Sequence, residues 1–261
     1  MSCFDLNSNG MYEVHCDCQK AQSTIEMHTV VKEGKLETLC SDLEEHEQVN
    51  GALLDAKNWL PFAAEKYCIS PKLEDYVLLN TIAMFSDLPN RNAVAFPFKE
   101  LSSFNTDIGM LSYKGWKGMP SYCEHQNKDY TKAKGVIFDA VMRPLHGYKG
   151  NLWKVILLTG FDRNKDPMLV NDILTHKRPS TSMGAYCEDY NCSICGASLK
   201  AGGCEHLTKG DPTYKIINGK LACWNTKNIK PFENSSVASP AYLMATNNQN
   251  MPMFKDLTTL F

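Results

Sequence analysis

The chain lacks any apolar run approaching the roughly 18 to 20 residues that a bilayer-spanning helix requires. Its first residues, "MSCFDLNSNGMYEVHCDC", also lack a basic segment followed by an apolar stretch of the kind that directs export. A soluble, intracellular protein without a membrane partner is expected on both grounds. Charge of one sign is not in excess: 27 Lys and Arg stand against 29 Asp and Glu, a net charge of −2. That balance supplies no global field to draw in nucleic acid or an anionic surface. Internal repeats and low-complexity tracts are missing too, which sets aside repeat architectures and long disordered linkers. Cysteine, by contrast, is plentiful at 11 residues. Without an export signal these read as thiols and metal ligands rather than disulfides, and an odd number cannot all pair. With 261 residues and 43% hydrophobic content, the chain can bury one substantial core.

The pattern changes near residue 75. Before it come a possible strand at residues 11–16, a Glu-rich polar stretch, and an expected helix over 50–67, where Leu53, Leu54, Trp59, Leu60 and Ala63 recur at helical spacing before a Ser-Pro. Residues 1–75 therefore read as an N-terminal accessory region. From Tyr76 onward, short apolar strands alternate with turn signals: "YVLLNTIAMF", "DLPNRN", "AKGVIFDAVM" and "LWKVILLTG". A helix over 167–176 is expected next, with Asp166 as its N-cap. Residues 246–261 are polar and then apolar, as expected of a tail that docks on something.

Two kinds of chemistry meet in "PSTSMGAYCEDYNCSICGASLKAGGCEHLTKG", residues 179–210. Cys192 and Cys195 form a C-x-x-C knuckle with Gly196 permitting the tight turn. Cys204 and His206 supply a second pair, so that three thiolates and one imidazole complete a closed tetrahedral zinc set. A catalytic zinc keeps one position open, and four protein ligands point to a structural ion instead. Cys187 is a weaker competitor, five residues from Cys192. His15 to Cys18, "HCDC", alternates as a packed strand would. Around the knuckle Lys200 and Lys209 are offset by Glu188, Asp189, Glu205 and Asp211, so no basic stripe marks a specific nucleic-acid interface.

The second chemistry is Ser182, in a turn of small residues. A serine nucleophile needs a base within reach, and the base needs an orienting partner. Gly184 and its neighbours could offer backbone N–H groups to an oxyanion. His206 is claimed by metal, and His146 and His176 read as surface residues. His125 ends the run "WKGMPSYCEH" before the turn "QNKD", at a strand end facing a loop, where reacting groups are often displayed. Glu124, as its neighbour on a strand, should point to the opposite face.

The stretches "SDLPNRNAVAFPFKEL", "YKGWKGMPSYCEHQNKDYTKAKGVIFDA", "WKVILLTGFDRNKDPMLVNDIL", "STSMGAYCEDYNCSICG" and "FENSSVASPAY" together resemble the head-maturation (prohead) proteases of tailed bacteriophages, which are distantly similar to herpesvirus assemblin. The likeness covers residues 76–245, with a zinc-knuckle insertion at 187–210, and leaves residues 1–75 unexplained. It implies an α+β fold centred on a β-barrel, and a serine endopeptidase with Ser182 as nucleophile and His125 as general base. Glu233, in "FENSSV", is the implied third member, with Asp162 and Asp172 as alternatives. The resemblance further implies scaffold and major capsid proteins as substrates, self-processing and self-association. It places the chain in the host cytoplasm, inside the assembling prohead. It also leaves room for a protease-like protein that has lost activity and serves as a structural part of the phage head.

Overall fold

A computed structural model describes residues 4–6, 12–14, 29–32, 35–38, 43–144, 152–207 and 215–247. The "HCDC" stretch, His146 and the tail beyond residue 247 lie outside them. In chain order the first elements are β1 (Phe4–Leu6), β2 (Tyr12–Val14), β3 (Thr29–Lys32), β4 (Lys35–Thr38) and helix α1 (Leu43–Tyr67). They are followed by β5 (Tyr76–Phe85), β6 (Val94–Ala95), α2 (Phe98–Ser102), β7 (Phe104–Asn105), β8 (Met110–Leu111), β9 (Pro120–Cys123), β10 (Gly135–Pro144) and β11 (Trp153–Asp162). The last are α3 (Pro167–Leu174), β12 (Thr181–Cys192), β13 (Lys215–Ile217), β14 (Lys220–Ala222) and β15 (Trp224–Ser236).

The apolar runs at β5, β10 and β11 become three long antiparallel strands, because each is flanked by apolar neighbours that need cover on both faces. The main sheet runs β1-β2-β12-β15-β9-β10-β11-β5, with β6 pairing β15 beside this path. The barrel implied by the resemblance is not formed among the described residues: the fold is mixed α+β with an open sheet. Among the described residues no ladder joins β5 to β12; isolated bridges run from Asn247 to Thr81 and from Thr246 to Ser180, and the Thr181 hydroxyl donates to the Ile82 C=O at 3.3 Å. A few residues of extended chain fill the gap that a closing strand would occupy.

Helix α1 begins seven residues earlier than the apolar spacing indicates, at Leu43, because the Glu-rich stretch "LEEHEQV" is itself helical. Good helix formers need no apolar stripe to continue a helix that is already nucleated. Its buried face, Ala52 with Leu53, then Ala56, Leu60, Ala64 and Tyr67, steps by three or four residues from Leu53 onward. That face packs on Tyr76, Leu78, Tyr122, Val136, Phe138 and Leu158 in one cluster. Strand β2 also pairs β12 at Tyr186 and Cys187. The described part of residues 1–75, an accessory region by sequence pattern, thus shares both core and sheet with residues 76–245. Helix α3 is capped as its sequence indicates, with the Asp166 carboxylate accepting the Leu169 N–H at 3.0 Å.

Two pairings at the centre of the sheet decide what the fold can display. β12 and β15 form a long antiparallel ladder, from Thr181 opposite Ser236 to Cys192 opposite Trp224. β15 then runs parallel to β9, with Asn234 beside Ser121, Ser235 beside Tyr122 and Ser236 beside Cys123. One end of this three-strand unit holds Ser182, Glu233 and the turn after β9. The other end opens into the cysteine knuckle.

Candidate functional site

Residues that face each other in register share a side of the sheet. Ser182 lies opposite Ser235, and Gly184 opposite Glu233, so these four occupy one side, together with Tyr122 next to Ser235. The neighbourhood is unusually polar for a sheet centre: Thr181, Ser182, Glu233, Asn234, Ser235 and Ser236 are all buried. Buried polar groups are costly unless bonded, and such a row is retained where it has a task.

The turn after β9 brings His125 onto this face. Glu124 and His125 take φ of 50° and 52° in succession, a left-handed pair that costs non-glycine residues on the order of 1 kcal/mol each. The turn is tied down by Glu124 N–H to Ser236 C=O at 2.9 Å and Asn127 N–H to His125 C=O at 2.7 Å. His125 Nδ1 lies 2.7 Å from Glu233 Oε1, with the histidine side chain 9% exposed and the glutamate fully buried. The carboxylate is an acceptor, so the network assigns the proton to Nδ1, which donates, and leaves the lone pair on Nε2. Nε2 is itself buried.

Glu233 is held at three further points. Its Oε2 accepts the Ser235 hydroxyl. Its backbone C=O accepts the indole N–H of fully buried Trp116 at 3.1 Å. Its carboxylate rests over Gly184, where a Cβ would stand 2.6 Å from Oε1 and 2.6 Å from the Phe232 ring. A register shift between Gly184 and Ala185 makes Phe232 the extra residue of a bulge, which lets it and Glu233 lean over the same glycine. The sequence marks Gly184 only for its backbone N–H. The structure gives it a second role, as the floor under the carboxylate. Ser235 and Trp116 carry no signal in the sequence: Ser235 is a small polar residue two positions along the same strand, and Trp116 reaches Glu233 from a turn 117 residues earlier.

The alternatives to Glu233 lie elsewhere. Asp162 is buried and committed to backbone, accepting from Ser70 N–H at 2.7 Å and from Asn164 and Lys165 N–H at 2.8 and 3.2 Å. Asp172 pairs loosely with exposed Lys177 at 3.9 Å. Glu124 is not a strand neighbour of His125: it sits in the left-handed turn, and its Oε1 takes Arg178 Nη1 at 2.5 Å and Ala238 N–H at 3.0 Å.

At the far end of the β12–β15 ladder, the ligand atoms of Cys192, Cys195, Cys204 and His206 all lie within 4.8 Å of one another. A tetrahedral site with metal–sulfur bonds of about 2.3 Å has edges of about 3.8 Å, so the four can hold a metal ion with little adjustment. His206 turns Nδ1 toward the cluster, 3.8 Å from Cys192 Sγ. Gly196, at φ 75°, makes the knuckle turn, its N–H reaching the Cys192 C=O at 2.8 Å. Burial pushes the Cys192 thiol up. At Cys204 burial also acts upward, but the Leu207 N–H, the Cys192 thiol, the His206 N–H and the Cys195 thiol together hold that thiol below its ordinary value. Cys187 is excluded: it is buried in β12, its thiol pushed up to about 12, and the knuckle starts at Cys192 rather than at 187. Replacing Cys195 by Ser is expected to lower bound metal well below one equivalent per chain and to depress the melting temperature, as metal analysis and calorimetry would register. A full equivalent with unchanged melting would remove the site.

Comparisons with protein-family models, curated proteins and solved structures find no match. Among the described residues no helix is long and apolar enough to cross a membrane.

Proposed function

We propose that the chain is a serine endopeptidase of the phage head-maturation kind, with Ser182 as nucleophile, His125 as general base and Glu233 as the residue that orients the imidazole. The observation that carries this reading is the buried 2.7 Å contact between His125 Nδ1 and Glu233 Oε1, on the sheet face that also bears Ser182. A carboxylate on Nδ1 fixes the tautomer whose Nε2 can take a proton, and it stabilises the imidazolium that forms once the proton is taken.

In this mechanism Ser182 Oγ attacks the scissile carbonyl carbon as His125 Nε2 removes the hydroxyl proton. Collapse of the tetrahedral intermediate breaks the C–N bond, and the imidazolium returns that proton to the leaving amine. Water, deprotonated by the same nitrogen, then releases the acyl group and restores Ser182. Glu233 stays an acceptor throughout, its second oxygen held by the Ser235 hydroxyl.

The metal of the Cys192, Cys195, Cys204 and His206 set is zinc in this reading, and its part is structural. Ten residues of β12 separate Ser182 from Cys192, roughly 33 Å at about 3.3 Å per residue, too far for an ion to act on the reacting carbonyl. Four protein donors also leave no open position. The ion would close the long excursion between β12 and β15 and keep that ladder in register.

Scaffold and major capsid proteins of the prohead are the proposed substrates, met within the assembling head in the host cytoplasm. Co-expression of the chain with such proteins, followed by mass spectrometry of their ends, tests the reading. New uniform termini that vanish in the Ser182→Ala chain are expected. Intact partners in both cases would favour a structural component of the head instead.

A further inference from the structure

We infer that Glu124, clamped by Arg178, is a positioning residue that holds His125 against the nucleophile strand, a role that rests on the endopeptidase reading above. Three segments must keep fixed distances in that reading: the turn carrying His125, strand β12 carrying Ser182, and strand β15 carrying Glu233. The Glu124 carboxylate links that turn to the residues that flank the other two. It is the residue immediately before His125 in the left-handed turn. Its Oε1 accepts Ala238 N–H, two residues beyond the end of β15. The same oxygen accepts Arg178 Nη1, three residues before β12 begins.

Arg178 is itself anchored. Its N–H donates to the Asp172 C=O at 3.0 Å, which ties it to α3, and its own C=O accepts from the Asn247 amide at 3.5 Å. Val237 N–H bonds Ser180 C=O at 3.0 Å, closing the link between the two strands just beside the clamp. A turn with two consecutive positive φ values does not persist on local preference and needs such outside support. With Glu124 and Arg178 side chains 42% and 30% exposed, the ion pair adds little to global stability. Its effect is instead on geometry, where a misplacement of about 1 Å can cost on the order of 100-fold in rate.

The test is a set of variants of the full chain: Glu124→Ala, Glu124→Gln and, as a control, Lys227→Ala. Lys227 makes an ion pair of similar kind with Glu100 at 3.0 Å, away from the site. Steady-state cleavage of a scaffold-derived peptide is read alongside the downfield nitrogen-bound proton of His125 Nδ1 in labelled protein. Glu124→Ala should lower kcat by about tenfold or more, leave KM within about twofold, and broaden the Nδ1 proton signal, with the melting temperature little changed. Glu124→Gln, whose amide oxygen can still accept Ala238 N–H, should recover most of the loss, and Lys227→Ala should match the parent. Parental kcat with an unaltered Nδ1 signal in Glu124→Ala would overturn the inference. If the parent cleaves no peptide, the endopeptidase reading fails, and the Nδ1 signal alone decides whether Glu124 positions the ring.

Discussion

Ser182→Ala and His125→Ala should each reduce peptide cleavage by a factor of about 10⁴ or more, and the double variant should lose no more than either single change. The two act as one unit: without the hydroxyl the base has nothing to deprotonate, and without the base the hydroxyl is a weak nucleophile at neutral pH. Independent contributions would instead multiply. Both variants should fold, since Ser182→Ala removes one hydroxyl from a side of β12 whose ladder to β15 is backbone, and the His125 turn keeps its Glu124 contacts. Steady-state kinetics with one scaffold-derived peptide, alongside circular dichroism, separates lost chemistry from lost fold. Multiplicative losses would mean that the two residues do not share a proton.

Gly184→Ala is the most demanding test of the orienting carboxylate, because it alters no ionisable group. The added Cβ would stand 2.6 Å from Glu233 Oε1 and 2.6 Å from the Phe232 ring, well inside contact distance of both. The carboxylate must move, and the 2.7 Å bond to His125 is lost with it. Cleavage should fall by about 100-fold or more, comparable to Glu233→Gln, with KM far less affected. Stability should drop as well, by about 1 to 3 kcal/mol, because a fully buried carboxylate loses part of its bonding. Asp162→Asn is the contrasting case. That residue anchors Ser70, Asn164 and Lys165 N–H groups, so its loss should lower the melting temperature while kcat per folded molecule holds. The reverse pattern, with Gly184→Ala active and Asp162→Asn dead, would move the orienting role away from Glu233.

Much of the scaffold is legible in the sequence because its signals are local. β5, β10 and β11 are continuous apolar runs bounded by turns, α3 has an Asp-Pro start, and the C-x-x-C knuckle is a short-range pattern that the fold closes with Cys204 and His206. The site is legible only as a set of residue types in order. What pairs them is long-range: 108 residues separate His125 from Glu233, and the contact depends on β15 running parallel to β9, which no periodicity announces. The left-handed turn at Glu124 and His125 carries no glycine to mark it, so by pattern it reads as the end of a strand. On that reading Glu124 has no part in the site, though its bonds to Arg178 and Ala238 join the segments on which the site depends. The open sheet departs from the expected barrel for a similar reason, since strand closure is decided by pairings at chain ends rather than by apolar pattern.

The central claim, that Ser182 is a nucleophile activated by His125, is tested most directly by a serine-directed fluorophosphonate and mass spectrometry of the intact and digested chain. One adduct per chain is expected, mapped to Ser182, absent from His125→Ala and retained in Asp162→Asn. An adduct on Ser235, or cleavage of a scaffold peptide that continues in the Ser182→Ala chain, would contradict it.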